Sequence, residues 1–401
     1  MKINRIISAT IVFALLLSLF ACNKGTVTLI SSNGPDESVS ASHDNSAYID
    51  FALRLVKSAA AEKNGNVAVS PYSVLSALSV IANGAAGESL SQIETASGYK
   101  KDALRSEARY LSTEAEDGVI KLSNSLFIRE GLRLSDSAYT ADVSVYSASA
   151  GKNTVKFINS LCSNNTNGAV KKATDSFDGT DMMILSTLLF DSAWSEIYEE
   201  KDIKTRNFKN YDGTETEVKI LCSKENIITN DEYIGFNKTY KNERYCFTAV
   251  MPKDESVDIY DFLESIDAAK WARIYADRKG VMVAVRFPEF SLDCGAGVKD
   301  TLGRLGITDV FDEDKADLSG LTAENCGLSE LIEGTRVEIN RKGTGVMDSE
   351  LFKERGTEAL PDYDLIFADR PFVFAVTDET TLMPIYIGVV ANMETALPEG
   401  K

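Results

Sequence analysis

Asn66-Val-Ala-Val-Ser-Pro-Tyr-Ser-Val-Leu-Ser-Ala-Leu-Ser-Val-Ile-Ala-Asn-Gly-Ala-Ala-Gly-Glu-Ser-Leu-Ser-Gln-Ile93 is the stretch whose reading decides the fold. Asn66 to Val69 is a short apolar run after the break at Gly65, and it predicts a strand. Ser70-Pro71 has the form of a helix start, with a hydroxyl to cap free amides and a proline in the first turn. Val74, Leu75, Leu78, Ile81 and Ala82 then recur at helical spacing, and Gly84 is expected to stop the helix. This helix is apolar around much of its circumference, which places it at the centre of the domain.

Outward from that stretch the same alternation continues. Upstream, Tyr48, Phe51, Ala52, Leu55, Val56 and Ala59 form one helical stripe. Near the C-terminus, Phe372–Val376 and Ile385–Val390 flank a polar Asp378-Glu-Thr-Thr turn and read as a buried hairpin. Helical stripes alternate with β-branched runs, so the body is mixed α/β. It extends from about Ser46 to about Met393, and 44% hydrophobic residues supply a core for it.

The N-terminus reads as an address. Lys2 and Arg5 precede an apolar run from Ile6 to Ala21, which is short for a membrane span and suits a signal peptide over residues 1–21. Leu19-Phe20-Ala21-Cys22 resembles a bacterial lipobox, which makes Cys22 the expected lipidation site and the cell envelope the expected location. Residues 22–45 are rich in Ser, Asn, Gly and Asp and are expected to be a flexible tether. Removing residues 1–21 leaves 40 basic and 60 acidic side chains. That balance argues against nucleic acid as a partner, and against any membrane contact beyond the lipid anchor.

The composition also narrows the chemistry. The chain has one histidine, His43, in the expected tether, which removes most nucleophile–histidine arrangements and the usual zinc sets. No phosphate-cradling glycine motif is present, and no cofactor is expected. Five cysteines remain beyond Cys22, an odd number with no C-x-x-C pair, and they read as free thiols. A pair of catalytic carboxylates, as in a glycosidase, stays open as a distant alternative among sixty acids.

Asn66 to Ile93 resembles the serpin segment N-[IV]-x-[IV]-S-P-x-S followed by G-A-x-G-x-T. The resemblance runs on collinearly. It takes in Leu122–Phe127, Asn159, Thr166-Asn167-Gly168, Met183 to Trp194, Phe247–Lys253 and Val283–Leu292. It then continues through Leu302–Phe311, Ala316–Gly320 and Ala368-Asp-Arg-Pro-Phe-Val-Phe374. By this resemblance, residues 46–393 form one α+β serpin domain with three β-sheets, about nine helices and an exposed reactive loop over residues 343–365. It implies a monomeric protease inhibitor with no turnover chemistry of its own. A serine protease, or a cysteine protease, cleaves the loop, and the freed segment inserts as a strand while the protease is still acylated. Fourteen inserted residues would span about 46 Å.

The resemblance assigns roles by position. Gly343, Thr344 and Val346 fall on the hinge, and the scissile bond falls at Thr357–Glu358, with Arg355 as a second candidate. Ser70, Ser73, Ser186, Trp194 and Glu333 fall where the large sheet opens. The chain departs from the family in three respects. Glu333 stands where a histidine is usual and Ser186 where an asparagine is usual; Arg341 replaces an acid; and Asp348 and Glu350 would face inward on an inserted strand. Uncompensated burial of those two acids is costly, so a non-inhibitory serpin-fold binding protein or protease substrate is the alternative reading.

Overall fold

The computed structural model describes residues 25–32, 40–115, 118–135, 143–295, 298–345 and 365–394. Cys22, Val346, Asp348, Glu350, Arg355, Thr357 and Glu358 lie outside the described residues. Seventeen strands are present among the described residues. In chain order they are β1 (Val27–Ser32), β2 (Val67–Val69), β3 (Ile120–Arg129), β4 (Ser144–Ala148), β5 (Met182–Phe190) and β6 (Ser192–Ala193). Next come β7 (Ile203–Lys209), β8 (Glu215–Thr229), β9 (Tyr233–Thr239), β10 (Tyr245–Pro252), β11 (Arg278–Pro288) and β12 (Phe290–Cys294). The last are β13 (Leu328–Ile339), β14 (Gly343–Thr344), β15 (Leu365–Phe367), β16 (Phe372–Asp378) and β17 (Pro384–Val390). Eight α-helices are described: α1 (Asn45–Ala59), α2 (Pro71–Gly84), α3 (Gly87–Ser97), α4 (Lys101–Glu114), α5 (Lys152–Asn165), α6 (Ile259–Glu264), α7 (Ala268–Ala276) and α8 (Val298–Arg304).

The first sheet has the order β1-β4-β3-β5-β13-β14-β6, with β12 also on β13. The second runs β15-β11-β8-β9-β10-β16-β17-β2, with β7 on β8. Strand β8 pairs with β7, β11 and β9 along successive parts of its length, and so joins smaller sheets into one hydrogen-bonded set. All nine residues of β5 are buried. Met183 and Leu185 pack under Ile158 and Cys162 of α5, while Met182, Ile184 and Leu188 face the core that contains α2.

Helix α2 is buried along all fourteen residues. The Ser70 hydroxyl accepts from Ser73 N–H at 3.4 Å, and Pro71 opens the first turn. Ala85, in an extended conformation, caps α2, and Gly84 is the last helical residue, as expected. A Cβ there would lie 2.0 Å from Leu321 Cγ, so the position is glycine because the Gly320–Leu321 backbone approaches it closely. The hairpin β16–β17 forms as expected, and the Asp378 carboxylate holds its turn by accepting from Thr380 and Thr381 N–H.

The flexible tether expected over residues 22–45 needs correction. Val27–Ser32 is an edge strand, antiparallel to β4, with Val27 and Leu29 packed into the cluster beneath α5. Its β-branched residues find a partner more than 110 positions away, which a local polar composition cannot reveal. His43, expected in the tether, stacks on Tyr110 with ring centroids 3.9 Å apart, and Asp44 caps α1. Cys162, Cys222, Cys246, Cys294 and Cys326 are free and buried, as read from their number and spacing.

Candidate functional site

The central seam of the first sheet is the parallel pair β5–β13. It is zipped from Met182 opposite Leu328 to Leu188 opposite Thr335. Beyond that register the two strands fork, and Gly343-Thr344 fills the fork. Strand β14 pairs with β13 through Ile339 opposite Thr344, and with β6 through Gly343 opposite Ala193 and Thr344 opposite Ser192. The turn that delivers it is built by Asn340. Its side-chain oxygen accepts from Lys342 N–H at 2.8 Å and Gly343 N–H at 3.2 Å, and its own N–H donates to Gly343 O at 3.0 Å. A Cβ on Gly343 would lie 2.1 Å from Ser192 O, so only glycine lets the chain enter here, at a residue the resemblance assigns to the hinge.

Thr344 is buried, with its hydroxyl 2.5 Å from the Tyr240 phenol oxygen. Tyr240 stacks on Trp194 at 4.5 Å, and Trp194 Nε1–H donates to Asn340 O at 2.8 Å. Trp194 N–H donates to Lys342 O at 2.9 Å, so this one residue holds the hinge turn at two points. Behind the ring lies a buried ion pair, Lys238 to Glu225 at 2.7 Å, with Lys238 Nζ 4.7 Å from the Tyr198 ring centroid. The sequence reading found Gly343, Thr344 and Trp194 but missed Tyr240, Lys238 and Glu225. Those three sit in stretches that look like ordinary polar strands and turns, and only tertiary packing marks them.

Lower on the seam, Ser186 and Glu333 stand directly opposite each other in the β5–β13 register. Ser73 Oγ–H donates to Ser186 Oγ at 2.9 Å, and Ser186 Oγ–H donates to Ser73 O at 3.1 Å. Glu333 Oε1 accepts from Ser70 N–H at 2.7 Å, at the amino end of α2, while Oε2 is buried with no hydrogen-bond partner. Burial pushes the Glu333 carboxyl up to about 8; the bond from Ser70 N–H offsets part of that rise. The sequence-assigned Ser70, Ser73, Ser186 and Glu333 are thus one cluster at the seam, and Trp194 belongs to the hinge above it.

Arg341, which the resemblance sets where an acid is usual, has acidic neighbours. Its guanidinium lies 3.0 Å from Glu200, and its N–H donates to Glu289 Oε1 at 2.8 Å. At the far end of the loop region, β15 runs parallel to β11, with Leu365 opposite Ala284. The segment 343–365 is therefore fixed at one end in the first sheet and at the other in the second.

These features can be set beside known proteins. Residues 46–393 match the family model Serpin (serine protease inhibitor). Neuroserpin of Rattus norvegicus is 23% identical over 369 residues, which covers 84% of this chain and 88% of that protein. Leukocyte elastase inhibitor A of Rattus norvegicus is 24% identical over 380 residues, 87% of this chain and 99% of that protein. The crystal structure of the thermophilic serpin tengpin in its native state superposes with a TM-score of 0.80 at 25% identity, over 92% of this chain and 100% of that one. The family model covers most of the chain, residues 46–393, and this chain is a member of the serpin family.

Proposed function

We propose that the protein is a protease inhibitor that acts by loop cleavage, strand insertion and covalent trapping, and is itself no enzyme. The observation that carries this is the hinge. Its first two residues already sit between β13 and β6, the short strand that follows β5, with Thr344 facing inward, while the β5–β13 seam below remains zipped. Insertion needs only to propagate along a path already begun. Each residue added exchanges solvent for ladder hydrogen bonds and burial, which drives the loop forward once its far end is cut free. The partner is a serine protease, or a cysteine protease, held as its acyl-enzyme; Thr357–Glu358, or the bond after Arg355, is the bait. Incubation with a panel of such proteases, followed by denaturing electrophoresis, should give a band at the summed mass. Cleavage of the chain with no such band, across the panel, would sink the inhibitor reading.

The burial of Thr344 also sets the phase of the residues after it, and it favours a second reading. In an inserted strand side chains alternate, so Val346, Asp348 and Glu350 would share the inward face with Thr344. Burial raises carboxyl pKa values, so the inserted form would be most stable with both acids protonated and lose stability as pH rises. The nicked protein should therefore gain more in unfolding midpoint over the intact protein at about pH 4.5 than at about pH 8. In Asp348→Ala/Glu350→Thr the gain should be large at both. No gain in either protein would favour a non-inhibitory binding protein or substrate.

The envelope location is part of the same proposal, with Cys22 as the lipidated residue after removal of residues 1–21. Cys22→Ala should move the protein from the membrane to the soluble fraction and leave its folded body unchanged. Unchanged fractionation, with no loss of acyl mass, would refute the lipid anchor.

A further inference from the structure

We propose that the outer face of α5 is a docking surface for the anionic phospholipid headgroups of a bilayer, a second membrane contact beside the lipid at Cys22. Its biological setting rests on the lipoprotein reading; the contact itself does not. The net charge of −18 argues against an anionic membrane face for the chain as a whole, but it is unevenly spread: the 32 residues from Val143 to Thr174 contain four lysines and no Asp or Glu. The fold gathers these lysines on one exposed surface. Lys152 and Lys156 lie one turn apart on the outside of α5. Lys171 joins them around a groove of about 540 Å³, also lined by Asn159, Ser160 and Asn164.

The loop bearing Lys171 is held in place. Asn159 accepts from Ala173 N–H at 2.6 Å and Thr174 N–H at 2.9 Å, and donates to Thr174 O at 2.9 Å. Lys172 is beside it and pairs with Asp175 at 2.7 Å, which marks one edge of the basic surface. Glu130, whose N–H donates to Ala148 O, lies towards another.

The start of the described chain supplies an independent argument. Thr26 N–H donates to Ser149 Oγ at 2.9 Å, and a Cβ on Gly25 would lie 3.1 Å from Thr154 Oγ1, in the first turn of α5. Gly25 is only three positions beyond Cys22, a reach of about 11 Å at most. An acyl chain on Cys22 would therefore hold the amino end of α5, with Lys152, close to the headgroups. A single lipid chain binds weakly alone, and a basic surface beside it provides a second attachment. Strand β1 enters the sheet at Val27 opposite Ala148, the end away from the hinge, so this contact leaves the reactive loop accessible.

The test uses the mature polypeptide from residue 22 with Cys22→Ser, so no acyl chain contributes. It is sedimented with vesicles of phosphatidylcholine alone and with about one third phosphatidylglycerol, at low and high salt. Binding should be at least about 100-fold stronger to the anionic vesicles and be lost at high salt. Lys152→Gln/Lys156→Gln/Lys171→Gln should weaken it by about 100-fold, and arginine at the same three positions should restore it. Lys100→Gln/Lys279→Gln/Lys315→Gln changes the net charge equally at other exposed sites and should alter binding by less than about twofold.

Equal binding to both vesicles, or equal losses in the two triple variants, would overturn the proposal. So would retention on heparin without vesicle binding, which would assign the surface to an anionic polysaccharide. A failed Cys22→Ala fractionation would leave this result standing, because no arm of the experiment contains the lipid.

Discussion

Thr344→Arg is expected to reduce covalent complex formation by at least about 100-fold while the reactive loop is still cut. The resting hinge places the Thr344 hydroxyl 2.5 Å from Tyr240, inside a cluster completed by Phe190 and Trp194. A guanidinium there would be buried among aromatic rings, and leaving such a charge unpaired costs several kcal/mol. The variant hinge would leave the fork, and after cleavage its first step back into the sheet would be uphill. The acyl-enzyme would then hydrolyse before the loop advances, which converts an inhibitor into a substrate. Thr344→Ser keeps the hydroxyl and should trap at the wild-type rate. Trp194 gives a second readout. The chain has two tryptophans, and Trp194 loses its ordered neighbours when Asn340–Thr344 moves, so its emission should shift to the red before any protease is added. Unimpaired complex formation by the arginine variant would refute insertion as the trapping step.

How much was legible in the sequence depends on the range of the interactions involved. Helix α2 was legible because its cap, its proline and its apolar spacing are all local, and because a helix buried all round has few apolar alternatives. The β16–β17 hairpin was legible for the same reason. Strand β1 was not, since Val27–Ser32 is stabilised by β4 and by the cluster under α5, and those partners lie far along the chain. At the site, Gly343 was found as a motif position, but its physical cause, the approach of Ser192 O, belongs to the fold. Tyr240, Lys238 and Glu225 were invisible because a buried ion pair and a stacked phenol have the same sequence signature as exposed ones. At Arg341 the resemblance marks only a departure, and its partners Glu200 and Glu289, 141 and 52 positions away, are set by the fold.

Glu333 should make the stability of the intact protein fall as pH rises from about 5 to 8, and Glu333→Gln should remove that part of the dependence. In the unfolded chain a glutamate releases its proton in the ordinary carboxylate range. In the fold, burial holds the proton to about 8. Between those limits the folded state binds a proton that the unfolded state has lost, so each pH unit lowers folding stability by about 1.4 kcal/mol. From about pH 5 to 8 the loss is on the order of 4 kcal/mol, complete once Glu333 is ionised in the fold. Glu107 is also buried and pushed up to about 7, so the wild-type curve contains both groups. The difference between wild type and Glu333→Gln isolates the seam. Glutamine keeps an acceptor for Ser70 N–H and carries no charge at any pH. The position of Glu333 gives the effect a functional consequence, because it faces Ser186 across the two strands that the proposed insertion would separate. A carboxylate there favours water entering the seam, so uncut protein held at about pH 9 should lose trapping capacity faster than at about pH 6, through insertion of the intact loop. In Glu333→Gln the two rates should be equal. Equal rates in the wild type, together with an unchanged difference curve, would show that the Glu333 carboxyl stays neutral or reaches solvent, and that the seam is held by packing and the serine hydroxyls alone.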